Sequence, residues 1–416
     1  MTYDVVIVGA SFAGLTLAHH LPKDLRVLLV DIKPEPGSTV ESTGLITTKT
    51  YLEFKSFLDI DHYITNPISA ICVVAPSFDD YFVSSVAEPW IYQTDTKALV
   101  KAMAETVPAN VEIRMKTAFL GLVEGDTTKI RIRSNSSAEE VIETKVLIGA
   151  DGSHSKVAAE IPELSQNDRF LFGYEQVFFG SVNLDERPAE TIYHFWFGEF
   201  SLGYGGWLSP TIIDGRPAFR VGLAKLEKDR AQAKELTQEF VELLLNKKII
   251  SIEGAVEKPG YIFGSLIPIN GVRKHLTYKN TLLIGDAAGF CGAFAADGIK
   301  GAVVSGKESA KLVEQFLAGD RQALSLLPQA MNQHGGLIKY YAKQMKYRWI
   351  WDRMKSNRTF TAMYSIIKAE RATFLNQFCD SKDKHQSLAW TVLKFKYLPK
   401  LIKYSCFIML DFFKRS

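Results

Sequence analysis

Four cysteines in 416 residues, at positions 72, 291, 379 and 406, are too few and too scattered for a disulfide framework or for paired zinc-ligand spacings. A reducing compartment is the setting this predicts. Long apolar runs are also lacking: no stretch of 18 or more uncharged apolar residues occurs, which argues against a bilayer-spanning helix. No basic segment with an apolar run behind it precedes the first strand-like residues, so no secretory leader is expected. There is no internal repeat and no low-complexity linker. An excess of one charge is missing as well. The 49 basic and 46 acidic residues leave a net charge of +3, which gives no reason to expect nucleic acid as a partner. Hydrophobic (47%) and charged (23%) fractions are those of a globular protein, and the length asks for two joined domains rather than one small core.

What is present begins at the first strand. DVVIV at 4–8 is a short β-branched run suited to a buried parallel strand, RVLLVD at 26–31 is a second, and a helical stretch to about Leu21 joins them. Between strand and helix lies Gly9-Ala10-Ser11-Phe12-Ala13-Gly14, a G-x-G-x-x-G loop with Ser11 in the middle position. Gly9 permits a tight turn, a small residue at 11 lets backbone approach a pyrophosphate, and Gly14 lets the helix lie close to the sheet. Phosphates then rest on the N–H groups where the helix opens at Phe12 and Ala13. Asp31 ends the second strand 17 residues after Gly14, where a carboxylate can accept both hydroxyls of an adenosine ribose. The pattern is that of a dinucleotide site, and this loop alone does not separate NAD from FAD.

Two later motifs bear on that choice. VLIGADGSHS at 146–155 is a strand leading into Gly-Ala-Asp-Gly, and TLLIGDAAGF at 281–290 a strand leading into Gly-Asp-Ala-Ala-Gly. Singly, Asp151 reads as a turn residue and Asp286 as a helix cap. Spread in this order over nearly 300 residues, the three motifs resemble the FAD-dependent hydroxylase and reductase superfamily with the para-hydroxybenzoate hydroxylase-like fold. The resemblance implies that Asp286, after Gly285, bonds the ribityl chain of FAD, and that Asp151 is the turn aspartate of the middle motif. It implies that Gly298 and Ile299 open the helix facing the flavin, and that Lys97 stands where the family often has an arginine near the FAD phosphates. The implied fold class is α/β: a Rossmann-type FAD-binding domain with a parallel sheet (1–65, 93–165 and 275–325) interleaved with an antiparallel-sheet substrate domain (66–92 and 166–274), then a C-terminal helical region (326–416).

The remaining stretches are consistent with this plan. Residues 37–50 read as a loop, 66–92 as strands, 95–106 as a helix capped by Asp95 with Leu99, Met103 and Ala104 inward, and 111–147 as alternating strands. Residues 170–225 read as an antiparallel sheet, 228–246 as a helix, and a long helix follows from about Gly298 to Leu317.

Within the superfamily the chain resembles geranylgeranyl reductases, especially the archaeal lipid-saturating type. GDAAGFCGAFAADGIKGAVVSG at 285–306 is similar to their GD-containing stretch, and GGWLSP at 205–210 to the Y-x-W-x-F-P motif that lines a prenyl tunnel beside the flavin. Trp207 and Pro210 match that motif; Gly205 and Ser209 replace its other aromatics. The family's cysteine is missing from Glu41-Ser42-Thr43-Gly44-Leu45, and Ala293 stands where a proline is usual. The implied activity is hydride transfer from reduced FAD to isolated C=C bonds of a prenyl lipid, with NAD(P)H or a ferredoxin-like protein as electron donor. On this reading Trp207 lines the channel, Lys300 lies near the flavin's N1–C2 edge, and Cys291 is a candidate proton donor ahead of His194 and Tyr204. Tyr193, Phe195, Trp196, Phe197 and Tyr204 are candidate channel walls beside Trp207, with a plain sheet core as the competing account for many of them. Gly289, Gly292, Gly298 and Gly301 would let backbone approach the isoalloxazine. A hydroxylase or halogenase on the same fold is an alternative, although the halogenase W-x-W-x-I-P pattern is matched only at Trp207 and Pro210. A non-catalytic flavin- or lipid-binding protein is another. No metal site is expected.

From Pro328 onward the chain reads as helical, basic and aromatic. Seven basic residues fall among Tyr340, Tyr341, Tyr347, Trp349 and Trp351 in 339–358, and residues 388–416 hold six basic residues against the single acid Asp411. Such a segment can lie in a membrane interface with lysines toward anionic headgroups. The expectation is a cytoplasmic protein, peripheral on the inner face of the membrane; a helical cap with a solvated basic face is the plainer alternative.

Overall fold

The structure is a computed structural model, and it describes residues 1–39, 42–135, 138–184, 187–201, 204–257, 261–375 and 394–413. The apolar runs of the nucleotide motif do what their composition requires. Strand Thr2–Val8 pairs in parallel with Val27–Val30 on one side and with Glu140–Gly149 on the other; Val111–Arg114 and Thr281–Leu283 extend the parallel array at its two edges. Val27–Val30, Thr281–Leu283 and the inner ends Val5–Val8 and Val146–Gly149 are buried on both faces and need no polar alternation. Helices Phe12–His20 and Gly298–Leu317 cross each other against this sheet, and a Cβ at Gly306 would stand 2.5 Å from the Ala13 carbonyl oxygen, so the crossing needs a glycine. An antiparallel flap, Thr117–Val123 with Asp126–Ser134, hangs from the Glu140 end.

The second large sheet runs in the order Ile250–Ala255, Phe170–Val182, Arg216–Leu226, Gly206–Ile213, Thr191–Phe195, Ala70–Val74, Tyr81–Ser85. It is antiparallel except where Thr191–Phe195 lies parallel to Ala70–Val74. Alternation divides its faces. Tyr193, Phe195, Leu208, Phe219, Val221 and Leu223 bury one face beneath Phe240 and Leu244 of helix Ala233–Asn246. Glu175, Trp207, Ser209, Arg220 and Gly222 therefore project from the other.

Three local expectations are corrected. Residues 37–50 are not all loop: Leu45–Thr47 is a strand on Ile91–Thr94, and Thr47 caps a helix from Thr48 to Lys55. That strand exists through a partner far away in sequence, which local composition does not reveal. The stretch expected as helix from 228 opens as a tighter 3-10 turn, Glu227–Gln232, before the α-helix starts at Ala233. The strand expected to lead directly into Gly285 stops at Leu283, and Gly285–Ala288 is a 3-10 turn closed by Gly289 at φ +73°.

The C-terminal part is helical as expected, with Leu327–Gln333, Leu337–Trp351, Asn357–Ala369, Arg371–Phe374 and Leu398–Phe413. The last helix docks through Leu401 and Tyr404 onto Asn357–Ala369, and Tyr397 of the turn before it joins the same cluster. Its acid, Asp411, accepts from Lys355 N, Ser356 N, Ser356 Oγ and Thr359 Oγ1 at 2.9–3.0 Å and so braces the start of that helix. Among the described residues no helix is long and apolar enough to cross a membrane. The sequence features at Glu41, Cys379, Trp390, Lys414 and Arg415 lie outside the described residues.

Candidate functional site

The glycine loop is built as its residue types demand. Gly9 has φ +116°, and a Cβ there would stand 2.2 Å from the Ala150 carbonyl oxygen. A Cβ on Gly14 would meet the Gly9 carbonyl oxygen at 2.0 Å, so helix and loop close on each other. Ser11 precedes the first helical turn in extended conformation, and its side chain makes no cap bond, which leaves the first N–H groups of the helix turned outward. Phe12 does not face outward: its ring packs edge-on against Phe54. Asp31 closes the turn from the next strand, accepting from Ala10 N at 2.7 Å and Lys33 N at 2.9 Å. Lys97 lies on the same side. Its carbonyl backs Gly37, in the loop after Asp31, and its ammonium sits 5.7 Å from the centre of the Tyr261 ring.

The Gly-Asp turn abuts this loop. A Cβ on Gly285 would lie 2.9 Å from the Ala13 methyl, and Gly285 N donates to Ser305 Oγ of the long helix. Asp286 keeps part of its surface open while burial, reinforced by Asp297, pushes its carboxyl up to about 6. A carboxyl that is both desolvated and reachable lines a recess, and perturbed carboxyls of this kind concentrate at binding sites. Ile299 and Gly298 open the helix above it; a Cβ on Gly298 would stand 3.0 Å from Asp286 Oδ1 and 3.5 Å from Cys291 Sγ. Asp151 is more local. Its Oδ2 accepts from Lys156 N and Val157 N and caps helix Lys156–Glu160, whereas its buried Oδ1 has no partner. The turn reading explains one of its oxygens and leaves the other buried. Asn167, which sequence reasoning passed over, ties the motifs together by donating to both Ser153 O and Asp286 O at 2.9 Å. An isolated Asn in a polar stretch carries no signal that could have found it.

The glycines expected beside a flavin ring are mostly explained without one. Gly289 lies against the Gly271 carbonyl (2.3 Å from a would-be Cβ), Gly292 against Asp297 and Gly301 against the Phe290 carbonyl. They are needed for protein packing, and of the four only Gly298 looks onto the recess. Cys291 is buried, and desolvation with Asp286 and Asp297 nearby raises its thiol well above the ordinary range, so it holds its proton and is no nucleophile. Lys300 lies 5.0 Å from the Tyr340 ring centre, and Tyr340 in turn donates to Asp297 Oδ2 at 2.6 Å.

Across from this turn the second sheet presents a polar group that the sequence did not announce. Trp207 Nε1 donates to Glu175 Oε2 at 2.7 Å, and Arg220 Nη1 donates to Glu175 Oε1 at 3.0 Å. Glu175 is fully buried, and burial raises its carboxyl despite the guanidinium beside it. The Trp207 indole also fills the space over Gly222, where a Cβ would meet it at 2.6 Å. Ser209 Oγ donates to Gln93 Oε1 at 2.7 Å, and Gln93 reaches the Thr43 carbonyl, which links this face to the loop that lacks the family cysteine. The expected channel walls separate. Tyr193 and Phe195 belong to the core on the opposite face; Trp196 and Phe197 pack with Trp351 and Phe360; Tyr204 and Trp207 gather with Ala293 and Met345 next to the Gly-Asp turn. His194 lies edge-on to Trp196 and Phe197, and burial lowers it to about 4, so it is neutral near pH 7 and a poor source of a proton. His20 bonds Thr16 O within the first helix, and His19 reaches Met103 O of helix Thr96–Glu105, so both are held by the packing of that helix pair. Among the described residues no cluster of three or more metal-ligating side chains occurs.

The family pattern of the FAD-binding domain matches residues 2–326. The chain belongs to the FAD-binding domain family. FAD is therefore its cofactor, and the chain is an FAD-dependent oxidoreductase. Its relatives include a geranylgeranyl diphosphate reductase of Rhodobacter capsulatus, 26% identical over 96% of this chain and 98% of the relative. A digeranylgeranylglycerophospholipid reductase of Thermoplasma volcanium is 24% identical over 81% of this chain and 83% of the relative. In fold the chain is similar to a geranylgeranyl bacteriochlorophyll reductase-like protein of Thermoplasma acidophilum, with a TM-score of 0.79 at 18% identity over 98% and 99% of the two chains.

The residues present fit FAD. An uncapped helix start behind Gly9 suits its pyrophosphate, Asp31 its ribose, and the desolvated Asp286 a hydroxyl of the ribityl chain. The orphan Oδ1 of Asp151 adds a buried acceptor between the two motifs. No single segment holds all of these groups; the parallel sheet brings them together.

Proposed function

We propose that this FAD-binding chain reduces isolated C=C bonds in prenyl, geranylgeranyl-type chains carried on a lipid. The observation that carries the reading is the apolar cluster of Tyr204, Trp207, Ala293 and Met345, which lies between the second sheet and the Gly-Asp turn. It joins the matched part of the tunnel motif to the matched part of the flavin motif. The names of the two relatives support it. Reduced FAD supplies a hydride, and an unpolarised alkene gives little electronic help, so alignment contributes most of the rate.

The protein's part is then positional. Trp207, held by Glu175, walls the channel in one rotamer. Asp31, Asp151, Asp286 and the opening turn at Gly298 and Ile299 hold the cofactor, with Lys97 toward its phosphates. Lys300, near the start of the long helix, adds positive charge where the helix dipole already favours an anionic ring edge. Cys291 keeps its proton beside Asp286, and the proton for the second carbon comes from this buried cluster or from water. The reductant is NAD(P)H or a ferredoxin-like protein.

The terminal helix turns an apolar stripe away from its docked face, with Leu398, Ile402, Met409 and Leu410 each 49–61% exposed and Lys396, Lys400 and Lys403 beside it. This supports peripheral contact with an anionic bilayer, from which such a substrate would be drawn.

The test is mass spectrometry of prenyl lipids from cells that co-express the protein with a geranylgeranyl lipid source. Mass gains in steps of about two daltons, one hydride plus one proton per double bond, are expected with the intact chain and lost with Asp286→Ala. Identical spectra with and without the intact chain would reject the reading.

A further inference from the structure

Strand pairing in the second sheet sets His194 beside Trp207. Thr191–Phe195 and Gly206–Ile213 run antiparallel with these two residues as register partners. Both side chains leave the sheet on the face opposite Tyr193, Phe195 and Leu208, which belong to the core under helix Ala233–Asn246. His194 is thus on the same face as Glu175 and Arg220, one strand beyond the indole that Glu175 holds.

The imidazole has no polar partner among the described residues. Its neighbours are ring edges and backbone: the Trp196 ring centre lies at 5.9 Å, that of Phe197 at 5.4 Å, and a Cβ on Gly205 would stand 3.5 Å from His194 Cε1. Burial alone lowers the ring to about 4, with neither a carboxylate nor a hydrogen bond to offset it. The ring is therefore uncharged at neutral pH and carries one N–H donor and one bare acceptor nitrogen. Buried polar side chains are nearly always hydrogen-bonded, and an imidazole without a partner in an aromatic wall costs free energy that a phenylalanine there would not.

The ring is also reachable. Protein surrounds it, yet it is only half-buried, as are its register partner Trp207 and Tyr204. Open surface on a group so enclosed faces a recess inside the protein. An anion would find no free countercharge there, because Arg220, two strands away, is already paired with Glu175 at 3.0 Å. We propose that His194 is a specificity-determining residue of the channel, donating its N–H to an uncharged hydroxyl or ether oxygen that the substrate carries next to Trp207. The inference rests on the prenyl-reductase reading for the chain that bears the oxygen. The unpartnered imidazole stands without it.

The test uses FAD-loaded, oxidised protein with isotope-labelled histidine, titrated with geranylgeraniol and with the hydrocarbon of the same skeleton that lacks the hydroxyl. The ring-nitrogen resonances of His194, identified by their absence from His194→Phe, should move with the alcohol and stay in place with the hydrocarbon. The ratio of the two affinities, alcohol over hydrocarbon, should fall about tenfold in His194→Phe, as expected for one lost hydrogen bond to a buried group. The hydrocarbon's own affinity should hold. His194→Gln, which keeps an N–H donor, should retain part of the ratio, and it serves for the identification should the phenylalanine variant not fold. Resonances that answer both ligands alike or neither, or a ratio unchanged by both substitutions, overturn the proposal, since the ring would then bind water alone. Alcohol-selective binding at His194 in a protein that reduces no prenyl chain under dithionite would reject the function and keep the role of the residue. Turnover that is indifferent to the oxygen would do the reverse.

Discussion

Asp286 and Glu175 are both desolvated carboxyls, with opposite consequences. Among the described residues no cation balances Asp286, and burial with Asp297 nearby raises it from 3.8 to about 6. A raised carboxyl favours the protonated fold, so its contribution is fully present below pH 3.8 and is lost as pH rises through about 6. Asp286→Asn should therefore stabilise the cofactor-free protein at pH 7–8 by about 1–3 kcal/mol in denaturant titrations, while FAD retention falls. Stability and FAD retention falling together would show that the carboxylate is structural. Glu175 is instead needed by its neighbours. Glu175→Ala leaves the Arg220 guanidinium and the Trp207 N–H buried without their acceptor and should cost about 3–5 kcal/mol. Glu175→Gln, which can still accept from Trp207, should cost less. A thermal shift of the same size in both variants would mean that charge, not the indole bond, is what matters.

At the scale of elements, one histidine fastens three helices. His334, just past Leu327–Gln333, bonds Glu308 of the long helix at 2.8 Å and Glu53 of helix Thr48–Lys55 at 2.7 Å, and Lys307 Nζ reaches Glu53 at 2.6 Å. Its bonds to Glu308 and Glu53 raise His334 to about 9, and its bond to Glu53 lowers that carboxyl to about 2. The histidine's contribution is full below pH 6.5 and fades as pH rises through about 9; that of Glu53 is full above pH 4.5 and fades as pH falls through about 2. His334→Gln should lower stability by about 2 kcal/mol between pH 5 and 6.5, with the deficit closing toward pH 10. A deficit constant over that range would show that the imidazole acts by shape alone. The cluster was invisible in the sequence because its members lie up to 281 residues apart. Glycines teach the same lesson. Gly9 and Gly14 serve the close turn their spacing announced, whereas Gly289, Gly292 and Gly301 looked cofactor-facing and proved to be packed against their own chain.

Over the whole molecule, the dinucleotide motif and its parallel sheet were readable and the polar face of the second sheet was not. Strand, loop, helix and terminal acid are contiguous, and their roles follow from local backbone chemistry. The polar face depends on which strands of the second sheet become neighbours, and that pairing brings Glu175, Trp207 and Arg220 together from three strands. The basic tail was legible as amphipathic, but which side faces outward required its docking on Asn357–Ala369. If that outer stripe meets a bilayer, the protein should float with vesicles containing phosphatidylglycerol and less with pure phosphatidylcholine. Ile402→Glu with Met409→Glu should abolish flotation without changing the melting temperature, because both side chains are about 60% exposed. Flotation unchanged by the pair would place the contact elsewhere.

Residue order was enough to specify a diphosphate-linked flavin, the parallel sheet that carries it and a helical, basic end. Those features arise from periodicity, small residues at close turns and acids at strand ends, all within a few residues of one another. The indole held by Glu175 and the three-helix histidine were set by packing. Each joins groups far apart along the chain, and their spacing in sequence carries no trace of the distance between them in space.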